Sequence, residues 1–238
     1  MIEIRALTKS FGAREVLRGV DLCVRPGRVT AVVGSNGAGK TTLIKCLLGL
    51  VRPDGGEIRL GGARVGSDPA YRASIGYAPQ MSRFPENLTA REVTNVLLGL
   101  RGPSAIIDWE LVERLALAPH MTSRVRTLSG GTRQKLTVAL AFLFAPNLYV
   151  LDEPTAGLDP AASAVLKDKI LAERGNGKTV LVTSHVMSEL EELADDIVLL
   201  SAGRVAYVGT AQKLRTFTGQ RHLERAIALI MAREPVCA

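Results

Sequence analysis

Val29-Thr30-Ala31-Val32-Val33-Gly34-Ser35-Asn36-Gly37-Ala38-Gly39-Lys40-Thr41-Thr42 is the stretch that decides the fold. A short β-branched run reaches a glycine, as a buried strand does. From Lys40 the period changes: Leu43, Ile44, Leu47, Leu48 and Leu50 recur at helical spacing until Pro53-Asp54-Gly55-Gly56 stops them. The order is strand, glycine-rich loop, helix. Residues 34–41 match the pattern Gly-x4-Gly-Lys-[Ser/Thr]. Three glycines let successive backbone amides turn inward around phosphate oxygens, and the helix N-terminus adds its partial positive charge. In such a loop Lys40 reaches β- and γ-phosphates, and the Thr41 hydroxyl holds Mg²⁺. At background composition the four fixed positions match by chance in about 1% of chains this long. The strand and helix flanks lower that further.

Two other motifs stand downstream. Leu148-Tyr149-Val150-Leu151 is an apolar strand that delivers Asp152 and Glu153 at its C-terminal end, where open parallel sheets bind ligands. In such a site Asp152 coordinates Mg²⁺, generally through water, and Glu153 faces the attacking water. An adjacent acidic pair is usually a solvated edge; the buried strand before it and the phosphate loop upstream reverse that reading. Leu128-Ser129-Gly130-Gly131 opens a helix in which Ser129 can cap and two glycines leave the first amides uncovered for an anion. His185 follows the apolar strand 179–183 and Ser184, so it reaches the same nucleotide edge; its neutral imidazole can bridge phosphate, water and Glu153.

The rest of the chain supplies the frame. Residues 3–7 and 16–24 alternate polar and apolar and read as strands, followed by the Pro26-Gly27 turn; residues 74–78 form another short strand. Residues 88–143 hold no convincing strand. Thr89 with Glu92 three residues on marks a helix start for residues 89–100, and residues 108–117 repeat a helical texture. Strands at 148–151, 179–183 and 197–200 alternate with helices at 161–174 and 187–194, which predicts a mostly parallel sheet covered on both faces. Residues 204–208, after Ala202-Gly203, close a hairpin. Leu223, Ile227 and Ile230 predict a terminal helix packed on its own domain.

Composition excludes other classes. The 238 residues are 47% hydrophobic and carry a net charge of +7, which fits an ordinary globular chain rather than disorder. The longest apolar stretch, residues 136–151, is broken by Pro146 and Asn147, short of the roughly 18 residues a bilayer crossing needs. The first ten residues carry Glu3, Arg5 and Lys9 and no export signal, so a cytosolic location is expected. Cys23, Cys46 and Cys237 are far apart and are expected to be buried small hydrophobes rather than disulfide or zinc partners.

From residue 1 to about residue 214 the sequence resembles the ATP-binding subunit of ABC (ATP-binding cassette) transporters. The resemblance implies an α/β P-loop NTPase core with a mostly parallel sheet, an N-terminal antiparallel β subdomain and an inserted α-helical lobe. Residues 1–80 and 146–214 would form the core, 81–145 the lobe with the signature motif, and 215–238 a helical tail. Phe11 would stack on adenine. Gly34, Ser35, Asn36, Gly37, Ala38, Gly39, Lys40, Thr41 and Thr42 would form the phosphate loop. Gln80, after Tyr77-Ala78-Pro79, would touch Mg²⁺ and link to the transporter; Ser129, Gly130 and Gly131 would be the signature loop. Asp152 and Glu153 would be the magnesium ligand and catalytic carboxylate, Asp159 part of the Gly157-Leu158-Asp159 loop toward the opposite subunit, and His185 the γ-phosphate switch. Thr132 stands where the signature usually has glutamine.

The implied partners are a second copy of the chain or a related ATPase subunit, closed head to tail on ATP, and separate integral membrane permease subunits docked near residues 81–89. That places the chain on the inner face of the cell membrane. Residues 127–143, 166–170 and 183–195 resemble the ATPase of the copper-processing transporter that serves nitrous oxide reductase maturation. Two other classes compete. A soluble ABC ATPase acting on nucleic acid or ribosomes suits the charge but generally carries two cassettes, and no nucleic acid partner is expected. A nucleotide-dependent regulatory module without transport is opposed by Glu153 and His185.

Overall fold

Four runs have every side chain buried: Val29–Val33, Leu148–Asp152, Thr179–Thr183 and Asp196–Ser201. Burial along a whole strand means cover on both faces, the condition of a parallel sheet between helices. The computed structural model describes residues 2–66, 68–102 and 106–232. Along the chain run β1 (Ile2–Phe11), β2 (Arg14–Val24), β3 (Val29–Val33), α1 (Lys40–Leu47), β4 (Gly55–Leu60), β5 (Ala63–Arg64) and β6 (Ile75–Ala78). The helical segment follows with α2 (Ala90–Arg101), α3 (Glu110–Arg114) and α4 (Gly130–Phe142), then β7 (Leu148–Asp152) and α5 (Pro160–Gly175). The chain closes with β8 (Thr179–Thr183), α6 (Met187–Leu193), β9 (Asp196–Ser201), β10 (Arg204–Gly209), α7 (Ala211–Thr218) and α8 (Leu223–Ala232).

These elements form two compact units, Met1–Arg72 with Thr179–Ala238, and Ala73–Lys178. In the first, an antiparallel sheet orders its strands β2-β1-β4-β5, and a second sheet runs β10-β9-β3-β8 with β3 parallel to both β8 and β9. Arg28 Nε donates to Asp196 Oδ2 at 2.8 Å and Arg25 pairs with the same buried carboxylate, which ties the turn before β3 to the start of β9. Leu223, Ala226, Ile227 and Ile230 of α8 are buried, as the spacing of the tail predicts. Burial of each large aliphatic contributes about 1.5–3 kcal/mol.

In the second unit β6 lies parallel to β7, Tyr77 opposite Val150 and Ala78 opposite Leu151. Residues 136 to 142 of α4 are all buried, as expected of a helix enclosed on most sides. Phe142 stacks on Tyr149 of β7 with ring centroids 4.3 Å apart. Thr89 and Glu92 form the full capping box of α2: the Glu92 amide donates to Thr89 Oγ1 (3.2 Å) and the Thr89 amide to Glu92 Oε2 (2.7 Å).

Several expectations need correction. The helix from Lys40 ends at Leu47, with Gly49 at φ 64, and Gly55-Gly56 opens strand β4 instead of forming a turn. The helix expected over residues 108–117 is confined to Glu110–Arg114, because Ala116 turns to φ 52. Cys46 is buried, but Cys23 is exposed. It points outward on β2 between the buried Leu22 and Val24, on the other face of an alternating strand. Cys237 lies outside the described residues.

Candidate active site

The phosphate-type loop follows β3 directly. Gly39 caps α1 at φ 106 with no side-chain bond to the first turn, so the opening amides of the helix face outward from a left-handed residue. A Cβ on Gly34 would sit well inside contact distance of the Leu200 carbonyl, so only glycine lets the loop pass β9 this closely. The Ala38 amide donates to the Ser35 carbonyl at 3.1 Å, closing a turn at Ser35-Asn36-Gly37-Ala38. Lys40 Nζ donates to the Gly34 carbonyl (2.7 Å) and the Ser35 carbonyl (3.1 Å), folding the ammonium back over the loop. The result is a glycine-rich turn at a helix start with a cation held over it, suited to an anion of several oxygens. Thr41 and Thr42 follow in the first turn of α1, both half-buried.

Parallel register brings a second predicted residue to the same edge. Val32 lies opposite Thr183, so His185 leaves β8 beside the exit of β3 into the loop, and it is exposed. Phe11 ends β1, 51% exposed, opposite Arg14 in the β1–β2 hairpin. Arg14 reaches the loop: its Nη2 would lie 3.2 Å from a Cβ on Gly37. Sequence reasoning missed Arg14, because only tertiary packing brings the β1–β2 hairpin to Gly37. A cavity of about 430 Å³ lined by Arg14, Glu15, Arg18, Gly37 and Gly203 adjoins it.

The second unit gathers the other predicted residues. The β6/β7 register sets the Pro79-Gln80 step and the Asp152-Glu153 pair at one strand edge. Gln80 is exposed, Asp152 is 2% exposed, and Glu153 is half-buried. Burial pushes the Tyr77 hydroxyl up to about 12, and the charge of Asp152 adds to the rise. Glu153 has φ 49, the left-handed region that non-glycine residues adopt only when their surroundings impose it. Ser129 caps α4, its Oγ accepting from the Thr132 amide at 3.1 Å, so the amides of Gly130 and Gly131 begin the helix uncovered by bulk. The Thr132 hydroxyl lies 2.8 Å from Ser129 Oγ and completes that cap. Asp159 caps α5 through the Ala162 amide (2.8 Å) and pairs with Lys135 (2.7 Å), and these two bonds hold its carboxyl below the ordinary range, Lys135 most strongly.

Residues 17–156 match the family model described as ABC transporter. The chain belongs to this family. It is an ABC ATPase. Daunorubicin resistance ATP-binding protein DrrA3 of Streptomyces coeruleorubidus is 40% identical over 224 residues, 92% of this chain and 71% of that protein. A solved structure described as the ATP-binding subunit of an ABC transporter superposes with TM-score 0.89 at 31% identity, covering 97% of this chain and 99% of that one. A dimeric post-hydrolysis cassette bound to ADP and Pi gives TM-score 0.79 at 23% identity, over 88% of this chain and 98% of that one, a likeness of fold. No helix among the described residues of this ABC cassette is long and apolar enough to cross a membrane.

Proposed function

We propose that two copies of this cassette, or one copy and a related subunit, close head to tail on ATP and drive separate membrane-spanning subunits. One observation carries the reading: Lys40 folded onto the Gly34 and Ser35 carbonyls above a helix start whose N-cap, Gly39, has no side chain to cover it, a cradle for phosphate oxygens. In that cradle the loop amides other than that of Ala38, together with Lys40, hold the β- and γ-phosphates, Thr41 and Thr42 line the first turn, and Phe11 stacks on adenine. Ser129, Gly130 and Gly131 supply amide donors to the nucleotide of the opposite subunit, and Asp159 faces that subunit.

The donors assigned to magnesium are the Thr41 hydroxyl, the Gln80 amide oxygen and the Asp152 carboxylate, all hard oxygens that suit this ion. When bound, magnesium offsets phosphate charge. Glu153 polarises the attacking water and His185 holds the γ-phosphate oxygens, so hydrolysis breaks the anionic bridge and the halves part.

The stroke passes to the membrane through residues 81–89. Beside them lies a groove of about 330 Å³ whose lining includes Ser82, Arg83, Phe84, Leu97, Arg101 and Phe144, apolar with a cationic rim, as a helix end of a permease would need. In this scheme the chain works at the inner face of the membrane. The finer reading is the copper-processing transporter of nitrous oxide reductase maturation, supported by residues 127–143, 166–170 and 183–195; the name of DrrA3 points to drug resistance instead. Deleting the gene should leave nitrous oxide reductase without copper, and intact copper loading would overturn that assignment alone. Lys40→Ala should abolish ATP binding, and an unchanged Kd would contradict the cradle. Co-purification with RNA or DNA in place of membrane subunits would favour the nucleic-acid reading.

A further inference from the structure

The loop after the acidic pair is two successive turns. The Ala156 amide donates to the Glu153 carbonyl at 3.1 Å, and the Leu158 amide to the Thr155 carbonyl at 3.0 Å. Pro154 sits at the second position of the first turn, where its fixed φ belongs. Glu153 opens that turn in its left-handed conformation, and proline after it narrows its choices further. Such a backbone persists only where neighbours over-determine it.

Three anchors reach this loop from five consecutive residues of α4. Gln134, 7% exposed, donates from Nε2 to the Pro154 carbonyl at 2.9 Å. Gly131 packs so tightly on the loop that a Cβ there would lie 3.0 Å from the Gly157 carbonyl. Lys135 pairs with Asp159 at 2.7 Å. A helical turn holds residues 131 to 135 in fixed mutual geometry, so the loop is gripped at three points by one rigid piece. Of the three, only Gln134 bonds the residue next to Glu153. Its amide is buried, and the Pro154 carbonyl is the acceptor it meets there.

We propose that Gln134 is a positioning residue for Glu153: by holding the Pro154 carbonyl it fixes the turn that aims the carboxylate, and it yokes that turn to the signature end of α4. This rests on the assignment of Glu153 as the catalytic carboxylate. Gln134 does not touch nucleotide in this scheme, so its loss acts on turnover and leaves affinity alone. A displacement of about 1 Å in a catalytic group costs roughly a hundredfold, and a relaxed turn allows a fraction of that.

The test uses the full chain with ATP and magnesium, reading phosphate release and ATP Kd. Gln134→Met fills the same space without the donor; kcat should fall about tenfold or more while Kd stays within about twofold. Gln134→Glu faces the carbonyl with a carboxylate, so it should be impaired at about pH 8 and regain activity relative to the parent toward about pH 6, where a protonated carboxyl donates again. That pH profile distinguishes positioning from packing and serves if the Met variant fails to fold. A Gln134→Met enzyme with parental kcat, or a Gln134→Glu deficit that is constant with pH, would overturn the inference. Glu153→Gln is measured beside them. Surviving turnover in that variant would remove the assignment of Glu153 itself, whereas an inactive Glu153→Gln beside a fully active Gln134→Met removes only the role of Gln134.

Discussion

Lys169 is a buried cation on which the stability of the second unit depends. Its side chain is 5% accessible and its ammonium bonds three carboxylates, Asp108 at 2.6 Å, Glu110 at 2.7 Å and Glu173 at 3.0 Å, while Tyr149 donates to Glu173 at 3.1 Å. The cluster ties α3 and its approach to α5 and β7. Lys169→Met keeps the stem and deletes the charge, leaving carboxylates crowded without a cation. Removing one partner of a buried ion pair costs about 3–5 kcal/mol. For a chain of this size each kcal/mol moves Tm by roughly 2–4 °C, so the midpoint should fall by roughly 6–20 °C.

The pH dependence has a definite sign. Burial alone would raise Asp108, but hydrogen bonds from Lys169 and from the Glu110 amide overcome it and hold the carboxyl below its ordinary range; Glu110 is held low chiefly by Lys169. Depressed carboxylates contribute stability that is present above their unfolded values near about 4 and lost as pH falls through the folded values. For Lys169, burial works against the charge, and bonds to Asp108, Glu110 and Glu173 outweigh it and raise its pKa. Its contribution is full below about 10.4 and lost as pH rises through the folded value, so at neutral pH both contributions are present. The gap between parent and Lys169→Met should therefore narrow on acidification below about pH 4. Urea or thermal unfolding across pH measures it. A loss under about 1 kcal/mol at neutral pH, the scale of an exposed pair, would refute the reasoning.

Other outcomes follow from single residues. Glu153→Gly relieves a left-handed residue worth roughly 1–2 kcal/mol, less roughly 0.5–1 kcal/mol for the freer unfolded chain, so it should unfold slightly later than Glu153→Gln while neither hydrolyses ATP. A Glu153→Gly protein less stable than Glu153→Gln would contradict the strain. Burial pushes the Cys46 thiol up to about 11, so at about pH 8 only roughly one molecule in a thousand carries its thiolate. Thiol reagents should label exposed Cys23 and leave Cys46 unmodified until the chain unfolds; equal labelling rates in the native protein would rule this out.

The parts legible in the sequence are those whose cause is local. The strand and loop of residues 29–40, the capping box at Thr89, the Ser129 cap and the buried strands at 148–151 and 179–183 depend on neighbours a few residues away. Strand β4 was hidden because Gly55-Gly56 has the look of a turn. Glycine stands there for another reason: a Cβ on Gly56 would collide with the Arg5 and Ala6 carbonyls of β1. Helix α7 was missed because only Leu214 of its eight residues is buried, too little for an apolar stripe, although Thr210 caps it. Arg14 against Gly37, Gln134 on Pro154 and Lys135 on Asp159 come together only through tertiary packing, and no spacing in the sequence announces them.

The account stands on ATP held between the Lys40 cradle of one chain and the Ser129 end of another. Its most direct measurement is the molar mass in solution of the Glu153→Gln chain, with and without saturating ATP and magnesium and, in parallel, beside its membrane partner. The mass should double when nucleotide is added and return to that of one chain when Ser129 is also replaced by a bulky residue. A Glu153→Gln chain that binds ATP yet stays monomeric in every one of these conditions would contradict it.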